Sequence, residues 1–218
     1  MKIAVVFGAT GLTGHLLVDA LLNDQRYEQV RVLVRHTFPV QHKKLQVLVT
    51  DFQSSESLAV GLKGDEVFCC IGTTIRKAGS QEAFRAVDYD IPVRAAEIAL
   101  QNGVKQFIVM SSLGANAQST NFYLRTKGEM EQAVLTIGLP GVVVVRPSML
   151  LGNRKEVRIG EKIGQWLIIA LGPFLLGGLK KYRGITSQQV AQAMIQLANS
   201  DTSQQIFESD ELWAISQI

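Results

Sequence analysis

The stretch "KIAVVFGATGLTGHLL" (residues 2–17) decides the fold. Its first half is a short β-branched apolar run that ends in Gly8, and its second half sets Leu12, Leu16 and Leu17 at helical spacing, continued by Ala20 and Leu21. A strand over 2–8 and a helix over 11–24 are therefore predicted, joined by a turn in which Gly8, Gly11 and Gly14 form a G-x-x-G-x-x-G frame. Small residues there let the backbone approach a pyrophosphate, whose charge the free N–H groups and dipole of the helix start stabilise. A glycine triplet alone also describes a strand-to-helix turn with no ligand. Its place at the first βα junction of a series favours a nucleotide.

The series continues down the chain. Strands are predicted over 29–35, 45–49, 65–72, 105–112 and 141–148, and helices over 55–62, 80–102 (with Pro92 as a bend), 120–137 and 187–200. Near-continuous Val and Ile runs imply strands covered on both faces, and the alternation implies right-handed crossovers. The expectation is a single α/β domain over 1–218, a doubly wound parallel sheet of Rossmann type. Residues from about 150 to 218 are expected to form a small C-terminal portion covering the substrate side at the sheet's carboxyl edge.

Composition narrows the function classes. Apolar residues make up 47% and charged ones 19%, which fits a folded globular chain and argues against disorder. The net charge of +3 and the lack of basic runs interleaved with aromatics argue against nucleic acid. The three histidines have no metal-ligand spacing, so no metal site is expected. Cys69 and Cys70 would point to opposite faces of a strand, a poor geometry for a disulfide, and read as buried thiols. With the first strand starting at residue 2 and no signal peptide, a cytoplasmic protein is expected. The charge-free segment 163–179, flanked by Lys162, Lys180 and Lys181, reads as a folded-in apolar cap, because Gly172-Pro173 would break a spanning helix. Interfacial membrane contact or a subunit interface is its alternative reading, and self-association stays open.

The second strand bears on the coenzyme. A site specific for the 2′-hydroxyl form carries an acidic residue there, roughly 20 residues beyond the glycines. Here the strand ends in Arg35, with His36 next to it, and no carboxylate stands between Glu28 and Asp51. A planar guanidinium suits a 2′-phosphate, so NADP(H) is favoured over NAD(H). Asp51 and Phe52, after the third strand, are placed to border an adenine. The segment "CCIGTT" (69–74), including Ile71, Gly72 and Thr73, is placed to line adenosine and ribose.

In "NFYLRTKGEMEQ" (121–132), Tyr123 and Lys127 are four apart and share a helical face. Taken alone, they equally describe a surface tyrosine beside a solvated lysine. Together with the glycine frame and the phrases "FCCIGTT", "VMSSLGAN" and "VVVVRPSMLLGNR", the chain resembles the atypical branch of the short-chain dehydrogenase/reductase superfamily. It looks most similar to the Tat-interacting protein group of NADPH-binding proteins and their bacterial relatives.

The resemblance implies that Tyr123 is the general acid or base, Lys127 its electrostatic partner and ribose ligand, and Ser112 the third member, with Ser111 as a substitute. A nearby ammonium stabilises a phenolate and brings proton transfer toward neutral pH. The resemblance also implies that Thr10, Gly11, Leu12 and Thr13 take the pyrophosphate, and that Arg35 and His36 face the 2′-phosphate. Ile71 and Gly72 would line adenosine, and Leu150 and Arg158 would add cofactor contacts. One departure is that no asparagine lies in the helix over 80–100 to continue a proton relay, which leaves water, Asp88 or Tyr89 for that role.

The expected function is an NADP(H)-dependent oxidoreductase acting on a small carbonyl or alcohol whose identity the sequence leaves open. The rival is an NADP(H)-binding regulatory or adaptor protein with little turnover. A sugar-nucleotide epimerase, more remote, would need a larger substrate domain.

Overall fold

A computed structural model describes residues 1–52, 54–151 and 177–218. The elements run β1 (Lys2–Phe7), α1 (Leu12–Asn23), β2 (Tyr27–Val34), β3 (Leu45–Val49), α2 (Ser55–Gly61), β4 (Glu66–Cys69) and α3 (Ile75–Ala78). Next come α4 (Gln81–Arg85), a π-helical turn (Ala86–Asp90), α5 (Ile91–Gln101), β5 (Gln106–Met110), α6 (Phe122–Thr136) and β6 (Gly141–Arg146). The chain ends with β7 (Leu150–Leu151), a 3₁₀ turn (Gly177–Tyr182), β8 (Ile185–Thr186), α7 (Ser187–Ala198), β9 (Ile206–Glu208) and α8 (Ser209–Ile215). Among the described residues, seven parallel strands pair in the order β3-β2-β1-β4-β5-β6-β9. The order reverses between β1 and β4, so a crevice opens at their carboxyl ends.

Strand alternation explains why one valine-rich run serves two cores. Ala4 and Val6 of β1 face the layer containing Leu17, Leu21 and Met194, while Val5 and Phe7 face the opposite layer with Leu62, Ala95 and Met130. Local chemistry sets the helix starts. The Asn121 side chain accepts the Leu124 N–H at 3.1 Å to open α6, and Thr186 with Gln189 forms a capping box on α7.

At the amino edge, buried Glu66 accepts from Lys2 Nζ at 2.5 Å and Tyr27 Oη at 2.6 Å, and Asn199 Nδ2 donates to that same phenol at 2.7 Å. This network ties β1, β2, β4 and the end of α7 together. Burial and the neighbouring Glu66 carboxylate raise the Tyr27 phenol far above its ordinary range, keeping it a donor.

Three expectations change in three dimensions. The residues after 150 do not all lie over the carboxyl edge: α7 packs on α1 and β9 extends the sheet beside β6, so 187–215 complete the doubly wound layers. The irregularity expected at Pro92 lies in the turn just before it. Proline has no N–H to offer the Asp88 carbonyl, and the helix widens to a π turn over Ala86–Asp90. The fourth strand stops at Cys69, so residues 70–72 form a loop at the crevice. Most of the apolar segment 163–179 and the position Arg158 lie outside the described residues. Among the described residues, no helix is long and apolar enough to cross a membrane.

Candidate functional site

The glycine turn is built as its spacing requires. Gly8 has φ +85°, and a Cβ on it would lie 2.4 Å from the Cys70 carbonyl carbon and 2.6 Å from the Ile71 nitrogen. A Cβ on Gly14 would lie 2.3 Å from the Gly8 carbonyl oxygen, so α1 starts in direct backbone contact with the turn. Gly11 caps α1 and donates to the Gly8 carbonyl at 3.0 Å, leaving Thr10 and Gly11 exposed and Leu12 partly so at the helix start. Thr13 is 2% exposed, and its Oγ1 has no protein partner. An orphaned hydroxyl in the first turn of a helix, beside a cradle closed to any side chain, fits a phosphate-bearing ligand.

Residues 70–72 join this turn to Lys127. Cys70 and Ile71 touch Gly8, and a Cβ on Gly72 would lie 3.9 Å from Lys127 Nζ and 3.4 Å from Asp88 Oδ1. Lys127 Nζ is 2.8 Å from Asp88 Oδ1, with the two side chains 4% and 1% exposed. Asp88 Oδ2 accepts the Thr73 N–H at 2.8 Å. Burial, the largest single influence, would depress the lysine, but Asp88 together with Tyr123 and Cys69 outweighs it and the ammonium is held above its ordinary value. Cys69, at the end of β4, is pushed up to about 12 by burial, which leaves it an inert thiol. Asp88 thus belongs to Lys127, while Tyr89, the other relay candidate, lies under the Arg85 guanidinium at 4.0 Å.

One face of α6 carries Tyr123, Lys127 and Glu131, at four-residue steps. Each has a fixed neighbour. The half-buried Tyr123 ring packs against Phe84 with centroids 5.6 Å apart, Lys127 pairs with Asp88, and Glu131 takes a two-pronged bond from Arg146 (Nε–Oε1 2.9 Å) at the end of β6. Gly128 lets the helix approach the loop after β5, where a Cβ would stand 2.2 Å from the Ala117 nitrogen. Helical propensity favours alanine there; backbone contact forbids it. Asp88 was expected only as a relay candidate, whereas Glu131, Arg146 and Gly128 escaped sequence reasoning. Of these, only the i+4 step from Lys127 to Glu131 left a sequence trace.

Two serines end β5. Ser111 is buried and its Oγ has no protein partner, whereas half-buried Ser112 makes a long 3.4 Å contact to the Leu113 carbonyl. On the adenosine side, Arg35 is exposed immediately after β2, next to exposed His36. It lines a depression of about 390 Å³ with Val49, Thr50, Asp51, Ser54 and Ser57. The expected pairing of Asp51 with Phe52 against an adenine divides here. Asp51 is exposed in the depression, but Phe52 is 4% exposed, adopts φ +61° and turns its ring into the core, 6.3 Å from that of Phe7. Leu150 is part-buried in the β7–β8 ladder opposite Ile185. Among the described residues, no group of three or more His, Cys, Asp or Glu side chains could hold a metal.

A parallel sheet with a glycine cradle at its switch point, and a Tyr-x-x-x-Lys face beyond the next strand ends, defines a dinucleotide-binding protein of the short-chain dehydrogenase/reductase type. The chain belongs to the NAD(P)H-binding family, whose model matches residues 8–201. It is 36% identical over 185 residues to "Protein FMP52, mitochondrial" of Candida albicans, covering 80% of each chain. It is 37% identical over 164 residues to "Protein HTATIP2" of Rattus norvegicus, covering 73% of this chain and 67% of that one. Its fold is similar to that of MoeE5 solved with UDP-glucose and NAD (TM-score 0.70, 18% identity, 98% of this chain and 80% of that one). The FMP52 relatives from several yeasts are named mitochondrial, which overturns the expectation of a cytoplasmic protein. The two buried free thiols do not distinguish between compartments.

Proposed function

We propose that the protein is an NADP(H)-dependent oxidoreductase acting on a small carbonyl or alcohol. The observation that carries this reading is the buried Lys127 ammonium, on the Tyr123 face of α6 and linked through residues 70–72 to the glycine cradle. Gly8, Thr10, Gly11, Leu12, Thr13 and Gly14 would hold the pyrophosphate, Ile71, Gly72 and Thr73 the adenosine side, and Lys127 the nicotinamide ribose. When bound, a dihydronicotinamide supplies hydride to a carbonyl carbon. The proton needed by the resulting oxygen leaves the Tyr123 hydroxyl, and the Lys127 ammonium steadies the phenolate that remains. A serine hydroxyl donates to the same oxygen as charge builds on it. The orphaned Ser111 Oγ favours Ser111 over Ser112 for that bond, because a ligand oxygen would satisfy it.

The NADP(H) preference rests on this chain's own Arg35 and its hydroxyl-lined depression, since MoeE5 is described with NAD. Fluorescence titration of the purified protein with NADPH and NADH tests it, and tighter NADH binding would overturn the preference. Arg35→Ala is expected to weaken NADPH about 10- to 100-fold, the worth of charge-assisted phosphate bonds, while leaving NADH nearly unchanged. Equal losses for both coenzymes would show that another cation meets the phosphate. Turnover is tested by coenzyme oxidation against a panel of aldehydes and ketones. NADPH binding with no turnover on any of them would favour the regulatory alternative.

A further inference from the structure

We propose that Asp88 is a positioning residue, which pins the Lys127 ammonium at the coenzyme groove and holds its proton there. The inference rests on the reading of Lys127 as a coenzyme ligand. A buried ion pair is weak evidence for stability, because desolvating two charges offsets most of their attraction. The geometry around this pair points to aim instead. Asp88 Oδ2 is held by the Thr73 N–H at 2.8 Å, which fixes the carboxylate and turns Oδ1 toward Nζ. The π turn over Ala86–Asp90 packs on α6 and sets Asp88 against Lys127 of that helix. Gly72 puts no side chain over the pair, where a Cβ would stand 3.4 Å from Asp88 Oδ1 and 3.9 Å from Lys127 Nζ. An ammonium has three donors. One meets Asp88, leaving the others for Tyr123 and a ribose.

The charged and titratable groups that face Lys127 are Asp88 from the π turn, Tyr123 from its own helix and Cys69 from β4. Asp88 is the carboxylate among them, and burial opposes the charge it supports. The sign follows. With its pKa raised, Lys127 contributes pair stability in full below the ordinary lysine value of 10.5, and that stability is lost as pH climbs through the higher folded value. Replacing Asp88 by neutral asparagine removes the opposing charge and leaves burial in command. Lys127 must then lose its proton at lower pH.

Heteronuclear NMR of Nζ in the full chain, assigned by its loss in Lys127→Arg, reads this directly. In Asp88→Asn the Lys127 midpoint is expected to fall by about two pH units or more relative to the unaltered chain. An unchanged or higher midpoint overturns the proposal. If Asp88→Asn does not fold, the unaltered chain decides: a midpoint above 10.5 supports the proposal and one below it overturns it. In a second arm, NADPH affinity measured across pH should fall earlier on the alkaline side in Asp88→Asn, and coincident profiles overturn the role at the groove. Absence of NADPH binding to the unaltered chain would defeat the oxidoreductase reading, while the Nζ midpoints would still support or overturn the assignment to Asp88.

Discussion

Gly8→Ala is expected to lower the thermal midpoint by roughly 10 °C and to abolish coenzyme binding. Two costs coincide at this residue. A non-glycine residue held at positive φ costs about 1–3 kcal/mol, and φ here is +85°. The new methyl would also stand 2.4 Å from the Cys70 carbonyl carbon and 2.5 Å from its oxygen. Those are backbone atoms of the neighbouring strand end, which cannot rotate aside as a side chain can, and overpacking adds about 1–3 kcal/mol. In a chain of this size each kcal/mol moves the midpoint by about 2–4 °C. Gly138 provides the control, with φ +89° and nothing within 4 Å of its Cβ, so Gly138→Ala meets the backbone cost alone. Calorimetric melts of the two variants that coincide would refute the close-approach argument.

Tyr123→Phe is expected to reduce turnover by about 100- to 10,000-fold, the usual worth of a positioned proton donor, with little change in NADPH affinity. The ring is kept, so its packing on Phe84 at 5.6 Å persists and the melting temperature should barely move. The Lys127–Asp88 pair also survives, since its 2.8 Å contact does not pass through the phenol. The measurement is coenzyme oxidation on whichever carbonyl the panel identifies, alongside a fluorescence titration. Retained turnover would remove Tyr123 from the chemistry. Lost NADPH binding would mean that the phenol holds the coenzyme and does not move a proton.

The parts of this molecule that were readable from sequence are those fixed by local physics. Valine-rich runs, helical leucine spacing and a glycine frame between them define the βα order without reference to distant residues, and the Cys69–Cys70 pair lands free on opposite faces as strand geometry requires. What escaped depends on partners far along the chain. Strand β9 has three residues, too few for any periodicity, and exists because Val144 to Arg146 pair with it. Asp88 was expected only as a relay candidate, and its pairing with Lys127 depends on the widened turn. Phe52 gave no sign of its left-handed backbone, so its ring was expected at a ligand and is found in the core. The tyrosine–lysine spacing was legible, but the buried ion pairs that hold that face were not.

The widened turn over Ala86–Asp90 also makes this chain count its residues as well as choose them. One amino acid deleted there would let the coil tighten to ordinary pitch and remove the widened backbone that sets Asp88 opposite Lys127. The carboxylate would then swing off its ammonium even though every chemical group survived. Length in this short stretch is therefore under as much constraint as composition, and insertions or deletions that a surface helix would absorb should be tolerated least here.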